Sequence, residues 1–451
     1  MKMPLNTDIK AIVRSSLNKS VASLLIKVMA AGLTYVMFVV LSRSMSEVNY
    51  GQFAFGFSLA TILAIGASMG QQIAILRFWP EENGNNNPKK AHEALRSGWA
   101  IVILASIIIS LTLIFTALVG GVIGDGIFSF LYIIAAASLI LPLAMAEYGG
   151  SVLRAQESVW IALTPRDVLW RAGVPTIVVI LLFYGVELNG SEALLLSAVI
   201  LSFVMVIQFF VAKKIGFYNS IGFSSLKNYW NERGKISLWF FISTVLDTAA
   251  LNVDIILIGL FVAVESAGLY FNAFKTAGLM TLFMWAITLV IAPIVAKHYH
   301  AGEIKKAQAV TTFCAWAGFI FSVGIFIIFI FFGDLILSLF GDTYANGKTI
   351  LLLLSAGLLV DAATGPTRIV MMMTGHEKAY VAIFGSIMLA GFVCMLVIIP
   401  IYGVLGAAIV NMITRIIAQS AIAYWAKKKI GISTTLWGFW TSSKEIIIKN
   451  K

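Results

Sequence analysis

In the stretch Asn252-Val253-Asp254-Ile255-Ile256-Leu257-Ile258-Gly259-Leu260-Phe261-Val262-Ala263-Val264-Glu265-Ser266-Ala267-Gly268-Leu269-Tyr270-Phe271-Asn272-Ala273-Phe274-Lys275-Thr276-Ala277-Gly278, two apolar segments meet at a short loop and each carries a charge. At a rise of about 1.5 Å per residue, Asp254 and Lys275 each fall roughly 10 Å from that loop, at matching depths if both segments cross a membrane. Ionised groups at such a depth are costly and face a protein interior or a watery cavity. A buried Lys275 needs a partner, and Asp254 is its first candidate.

Composition places the whole chain in the same class as this stretch. It is 60% hydrophobic and 12% charged, with a mean hydropathy of +0.93, whereas about a quarter of an ordinary globular domain is charged. Its apolar runs are continuous rather than alternating, which excludes a β-barrel and predicts an all-α polytopic membrane protein. The first run continues past the length of a signal-peptide core, so it is expected as a retained span. Cys314 and Cys394 sit in apolar runs and are read as packing residues.

Hydropathy predicts twelve spans, near 20–42, 52–75, 98–120, 128–149, 168–187, 193–212, 236–261, 269–295, 309–332, 347–369, 380–401 and 404–426. Basic residues concentrate on alternate connections: Lys2, Lys10, Arg14 and Lys19; Lys89, Lys90 and Arg96; Lys213, Lys214, Lys227, Arg233 and Lys235; Lys297, Lys305 and Lys306; and Lys427, Lys428 and Lys429. The opposite connections carry Glu47, Asp125, Glu187, Glu192, Glu265, Asp334 and Asp342, with Arg43 and Lys348 as basic exceptions. The positive-inside bias then puts both termini in the cytoplasm and supports an even span count. The net charge of +11 follows from this dispersal over loops, so no nucleic-acid partner is expected.

The expected organisation is an amphipathic N-terminal segment (1–19), a six-helix lobe (20–214), a cytoplasmic linker (215–235), a second six-helix lobe (236–427) and an interfacial tail (428–451). Ile9, Ile12, Val13 and Leu17 supply the apolar face of the first, and Leu436, Trp437, Phe439 and Trp440 anchor the last. Two short matches relate the lobes. Asn49-Tyr50-Gly51-Gln52-Phe53 resembles Ser266-Ala267-Gly268-Leu269-Tyr270, and Arg154-Ala155-Gln156-Glu157 resembles Thr374-Gly375-His376-Glu377, at nearly one offset. Glycine is common at span-to-loop junctions, so chance matching is the competing reading, but six spans per half in the same orientation point to a parallel duplication, with a central cavity expected at the repeat interface.

The stretch Leu41 to Gly51, the end of span two from Gly70 to Arg77, and the Asp254 to Lys275 stretch resemble the bacterial polysaccharide-repeat flippases, within the multidrug/oligosaccharidyl-lipid/polysaccharide exporter superfamily. The resemblance implies two lobes that rock between inward-open and outward-open states. It also implies transport of undecaprenyl-pyrophosphate-linked oligosaccharide to the outer leaflet, with membrane lipids and the pathway's polymerase and chain-length proteins as partners. A pyrophosphate crossing hydrocarbon needs a wet cationic path. The basic residues expected to supply it are Lys27, Lys275 and Arg415 inside spans, and Arg77, Arg154, Arg171 and Arg368 nearer cytoplasmic span ends. Snorkelling to headgroups is the competing reading for Arg77, Arg154 and Arg368, and neutralisation by a buried acid is the competing reading for Arg415.

Asp247, Asp254 and Asp361 are the candidate ion-coupling or counter-ion groups. Asp247 and Asp254 are seven residues apart and expected on one helical face, and Asp361 precedes the helix-breaking Gly365-Pro366 pair. No cofactor is expected beyond an ion gradient, with H+ and Na+ both open. The chain has no phosphate-cradling Gly-rich loop with its lysine, so direct ATP coupling lacks support, and an enzyme is not expected. His298 and His300 are read as solvated loop residues. The rival readings are a polysaccharide polymerase or ligase, which would want a large outer loop, and a multidrug cation antiporter, which would want an acidic cavity.

Overall fold

A computed structural model describes residues 25–119, 129–217, 220–223 and 226–438. Every element among these residues is helical. Among the described residues eight helices are long and apolar enough to cross a membrane, or nine when the bent pair Leu226–Ala249 and Val253–Phe261 counts as a span. The other expected spans lie on helices that are broken or joined. Span five falls on Val159–Phe183, span eight on Val264–His300, and spans eleven and twelve share Glu377–Lys429, which is interrupted at Gly403 (φ 58°, ψ −143°).

In chain order the helices of the first half are α1 (Leu25–Arg43), α2 (Glu47–Ala67), α3 (Gln71–Gly84), α4 (Pro88–Val119), α5 (Phe130–Ala155), α6 (Val159–Thr164), α7 (Arg171–Phe183) and α8 (Gly190–Lys214). A π-helical turn, Pro165–Trp170, joins α6 to α7. Those of the second half are α9 (Leu226–Ala249), α10 (Val253–Phe261), α11 (Val264–Ala277), α12 (Leu282–His300), α13 (Ile304–Ser338), α14 (Lys348–Thr364), α15 (Thr367–Met373) and α16 (Glu377–Lys429). Side chains cap several starts: Ser46 accepts from Asn49 N, Ser129 from Tyr132 N, and Asn189 with Glu192 forms a reciprocal capping box.

The chain forms two compact units, Met1–Ile256 and Leu257–Lys451. The boundary lies later than the expected linker at 215–235, because α9 packs on α2, α3 and α4. Tyr229 Oη donates to Gln71 Oε1 at 2.6 Å, Arg233 pairs with Glu82, and the Arg233 guanidinium lies 4.2 Å from the Phe78 ring centre. Gly70, at φ 74°, allows a close approach of α9: a Cβ there would stand 2.4 Å from Ser237 O and 2.6 Å from Phe241 N.

One helix-ending geometry recurs along the chain. After α5, Glu157 takes φ 64° and Ser158 N donates to Leu153 O at 2.9 Å; after α15, Gly375 takes φ 77° and His376 N donates to Met371 O at 2.8 Å. The same motif, a left-handed residue that lets the next amide reach back to an orphan carbonyl, also follows α3 (Asn86), α7 (Gly185), α8 (Gly216) and α12 (Gly302).

In the C-terminal unit, Val295, Ala307, Val370, Met371, Tyr380, Ile422 and Ile432 share one buried core. The segment after α16 packs into this unit. Gln308 exchanges two hydrogen bonds with the Ser433 backbone (2.5 and 2.6 Å), Thr434 meets Thr367 at 2.7 Å, and Leu436 N donates to Ala363 O at 3.1 Å. Residues up to Gly438 are thus a strap over the α14–α15 break, while Trp437 is exposed. The expected amphipathic segment 1–19 and the anchors Phe439 and Trp440 lie outside the described residues.

Candidate functional site: a cationic cluster on a π-helical turn

The cluster begins with Pro165. Having no N–H, it cannot donate to Ile161 O, and the helix widens into the π turn Pro165–Trp170. Gln208 of α8, almost fully buried, supplies replacement donors: its Nε2 reaches Ile161 O at 2.6 Å and Ala162 O at 3.3 Å. Satisfying freed carbonyls in this way is what tolerates a proline at membrane depth. Trp170 Nε1 donates to Ser197 O at 3.0 Å and fixes the far end of the turn. Gln208→Leu should therefore lower stability by about 1–3 kcal/mol, read as earlier thermal unfolding in detergent, because both carbonyls lose their side-chain partner.

The widened turn brings Arg166 and Asp167 to α5 and α1. Arg166 Nη1 lies 2.6 Å from Glu147 Oε1 of α5. Asp167 is 2% exposed and accepts from Lys27 Nζ of α1 at 2.6 Å, while Arg171 Nη2 lies 3.5 Å from its other oxygen. Arg171 also donates to Ala30 O at 3.1 Å. On α5, Glu147, Ser151 and Arg154 are one and two turns apart, so they share a face; Arg154 Nη2 donates to Ser151 Oγ at 2.8 Å and stands within electrostatic reach of Glu147, Arg166 and Asp167. Ile26, Leu153, Ala162, Leu163 and Ala212 form the apolar floor that holds α1, α5, α6 and α8 together beside these charges.

Four cations thus face two carboxylates, an excess of two positive charges. Arg166 Nε and Asp167 Oδ1 are buried without a hydrogen-bond partner among the described residues. Such an array can take up an anion with several oxygens, because guanidinium forks pair with phosphate two bonds at a time.

Of the expected site residues, Lys27, Arg154 and Arg171 are gathered here. Arg77 instead makes an exposed pair with Glu81 on α3 at 3.7 Å, and Arg368 is exposed with its guanidinium 5.6 Å from the Tyr380 ring centre. Arg415 Nη1 donates to Asp361 Oδ2 at 2.9 Å across α14 and α16, both side chains mostly buried (16% and 21% exposed). Lys275 Nζ sits 4.9 Å from the Phe271 ring centre in the last turn of α11. Asp254 is buried in the first turn of α10, so each of these two charges complements its helix dipole.

The one-face expectation for Asp247 and Asp254 fails. The chain leaves the helix at Ala250–Asn252 and bends by 53° between α9 and α10, so a seven-residue spacing no longer measures two turns of one helix. His298 Nδ1 lies 2.6 Å from Glu303, which also accepts from Lys306 at 2.7 Å. In this connection the Lys306 hydrogen bond, and then that of His298, hold the Glu303 carboxyl below the usual range.

Sequence reasoning missed Glu147, Arg166 and Asp167. Glu147 lay inside expected span four. Arg166 and Asp167 fell just outside span five, whose start at 168 hydropathy had drawn beyond the charges; Pro165, a residue suited to a first helical turn, was the signal that a helical segment opens before them.

The model of the family described as "Polysaccharide biosynthesis protein" matches residues 16–299, more than half of the chain and all of the cationic cluster. The chain belongs to this family. It is 23% identical over 325 residues to the capsular polysaccharide biosynthesis protein CapF of Staphylococcus aureus, covering 70% of this chain and 79% of that one. Its fold matches an inward-facing multidrug resistance MATE family transporter of the MOP superfamily (TM-score 0.71, 16% identity, 91% of this chain and 98% of the other). It also matches a MOP superfamily transporter from Pyrococcus furiosus described as having a binding pocket of reverse polarity (TM-score 0.67, 13% identity, 92% and 95%). This polysaccharide biosynthesis family member is therefore a multi-pass membrane protein with the MATE-like fold, as its apolar helices require.

Proposed function

We propose that this protein is a flippase that moves undecaprenyl-pyrophosphate-linked oligosaccharide repeat units from the cytoplasmic to the outer leaflet of a bacterial inner membrane by alternating access. The units would serve O-antigen, capsule or exopolysaccharide synthesis, with the polymerase and chain-length proteins of that pathway as partners. The observation that carries this reading is the excess of positive charge built by Lys27, Arg154, Arg166 and Arg171 around Glu147 and Asp167. A multidrug antiporter for cations would gain nothing from it, whereas a pyrophosphate needs counter-charge while its lipid tail stays in the bilayer.

Lys275, on α11 of the C-terminal unit, is proposed as a further phosphate-binding cation. Asp247, Asp254 and the Asp361–Arg415 pair are proposed as coupling or counter-ion groups for an H+ or Na+ gradient. Depletion of the protein, followed by measurement of lipid-linked oligosaccharide in each leaflet, tests the function. Complete units accumulating on the cytoplasmic leaflet support a flippase; unpolymerised units accumulating outside point to a polymerase. Lys275→Ala is expected to abolish complementation at native expression and Lys275→Arg to retain part of it, since a cation is needed there rather than an amine. Full complementation by the Ala variant removes Lys275 from the site.

A further inference from the structure

We propose that Asp167 is an internal stand-in for the substrate's phosphate: its carboxylate holds the cations that the pyrophosphate takes over, and binding proceeds by exchange of one anion for another. The inference rests on the flippase reading and names a residue that sets affinity and turnover within it.

Three features of the cluster lead there. Asp167 is held by Lys27 at 2.6 Å and faces Arg171 at 3.5 Å, so two of the four cations are occupied by a group that is itself an anionic oxygen pair. Its placement is incomplete, since Asp167 Oδ1 and the neighbouring Arg166 Nε are buried with no hydrogen-bond partner among the described residues. A structural ion pair at such a depth is normally satisfied on all its polar atoms. Finally, Asp167 rides on the π turn, one residue after Arg166, whereas Glu147 is set in the regular helix α5. Single-turn π segments recur at functional sites, and this one carries the carboxylate that would have to move.

The exchange has a physical logic in both directions. Without Asp167, Lys27, Arg166 and Arg171 would repel one another in an empty site. A pyrophosphate brings more negative charge and more acceptor oxygens than one carboxylate, so it can displace Asp167 and reach Arg166 Nε as well. When the headgroup leaves, Asp167 returns to Lys27 and Arg171, which keeps release from stalling on a site of uncompensated cations. Asp167 therefore weakens binding and speeds turnover.

The test compares wild type, Asp167→Asn, Asp167→Ser and Asp167→Glu, each purified in nanodiscs, by equilibrium binding of undecaprenyl pyrophosphate against phosphatidylglycerol and by turnover in proteoliposomes. The Asn and Ser variants are expected to bind the pyrophosphate lipid about tenfold tighter or more and to turn over correspondingly more slowly, because a competing charge-assisted hydrogen bond is gone. The Glu variant is expected to keep near wild-type affinity and part of the turnover. A carboxylate serving only to stabilise the fold would lower the melting temperature without tightening binding. Folded Asn and Ser variants with unchanged or weaker affinity overturn the exchange while leaving the flippase reading intact, as does loss of folding in both while the Glu variant behaves as wild type. A wild type that binds no pyrophosphate lipid above the control overturns the flippase reading and the exchange together.

Discussion

Asp361→Ala is expected to lower stability by about 3–5 kcal/mol, because it leaves the mostly buried Arg415 guanidinium without its carboxylate. The contact is a single hydrogen bond of 2.9 Å across α14 and α16, one turn before the Gly365 break. Denaturant unfolding in a fixed detergent measures it. The double variant Asp361→Leu/Arg415→Leu is expected to recover most of the loss, since removing both charges also removes the cost of burying them. The pair also separates structure from transport. A double variant that is stable but inactive keeps the pair among the coupling groups, and one that is stable and active leaves it as an architectural tie between helices.

Gly70→Ala is the second large effect. The added methyl would stand 2.4 Å from Ser237 O and 2.6 Å from Phe241 N, both backbone atoms, and the residue's φ of 74° is costly for any L side chain. Steric displacement and backbone strain together are expected to cost about 3–5 kcal/mol, read as lost folded yield and early unfolding. Gly66→Ala provides the contrast. Gly66 lies within α2 with nothing within 4 Å of its Cβ position, so that variant is expected to be neutral or to gain about 0.5–1 kcal/mol of helix propensity. Equal damage from both variants would mean that the α3–α9 approach at Gly70 is not tight. The matter bears on function because α9 is carried by the N-terminal unit through this contact and through Tyr229 and Arg233, although the sequence assigns its span to the second lobe.

Span positions were legible because hydrocarbon demands about 20 apolar residues per helix, and runs of that length stand out against 12% charged residues. Breaks inside the spans were legible only where the residue itself enforces them. Gly365-Pro366 announced its break, and Pro165 carried the information for the π turn without being used. Ala250-Leu251-Asn252 contains neither glycine nor proline, and the bend there undid the alignment of Asp247 with Asp254.

The site was legible residue by residue but not as an assembly. Lys27, Arg154 and Arg171 were each notable as charges near or inside apolar runs. Their convergence depends on Asp167 and Arg166, which hydropathy had assigned to a loop because charges lower a window's average wherever they fall. Arg77 and Arg368 are placed differently. Both look like Lys27 in sequence and are exposed as it is, but Lys27 reaches the buried Asp167 whereas Arg77 meets the exposed Glu81 and Arg368 lies beside the Tyr380 ring, a difference created by which helix face they occupy.

The most direct test of the central claim is movement of a fluorescent undecaprenyl-pyrophosphate-linked oligosaccharide across proteoliposomes containing the purified protein. Wild type should flip it well above protein-free liposomes, Arg166→Ala and Lys27→Ala should each slow it by about tenfold or more through loss of a charge-assisted contact, and Arg77→Ala should leave it unchanged. Flipping at the protein-free rate by a folded wild type, or at the full wild-type rate by Arg166→Ala and Lys27→Ala, would contradict a cationic-cluster flippase.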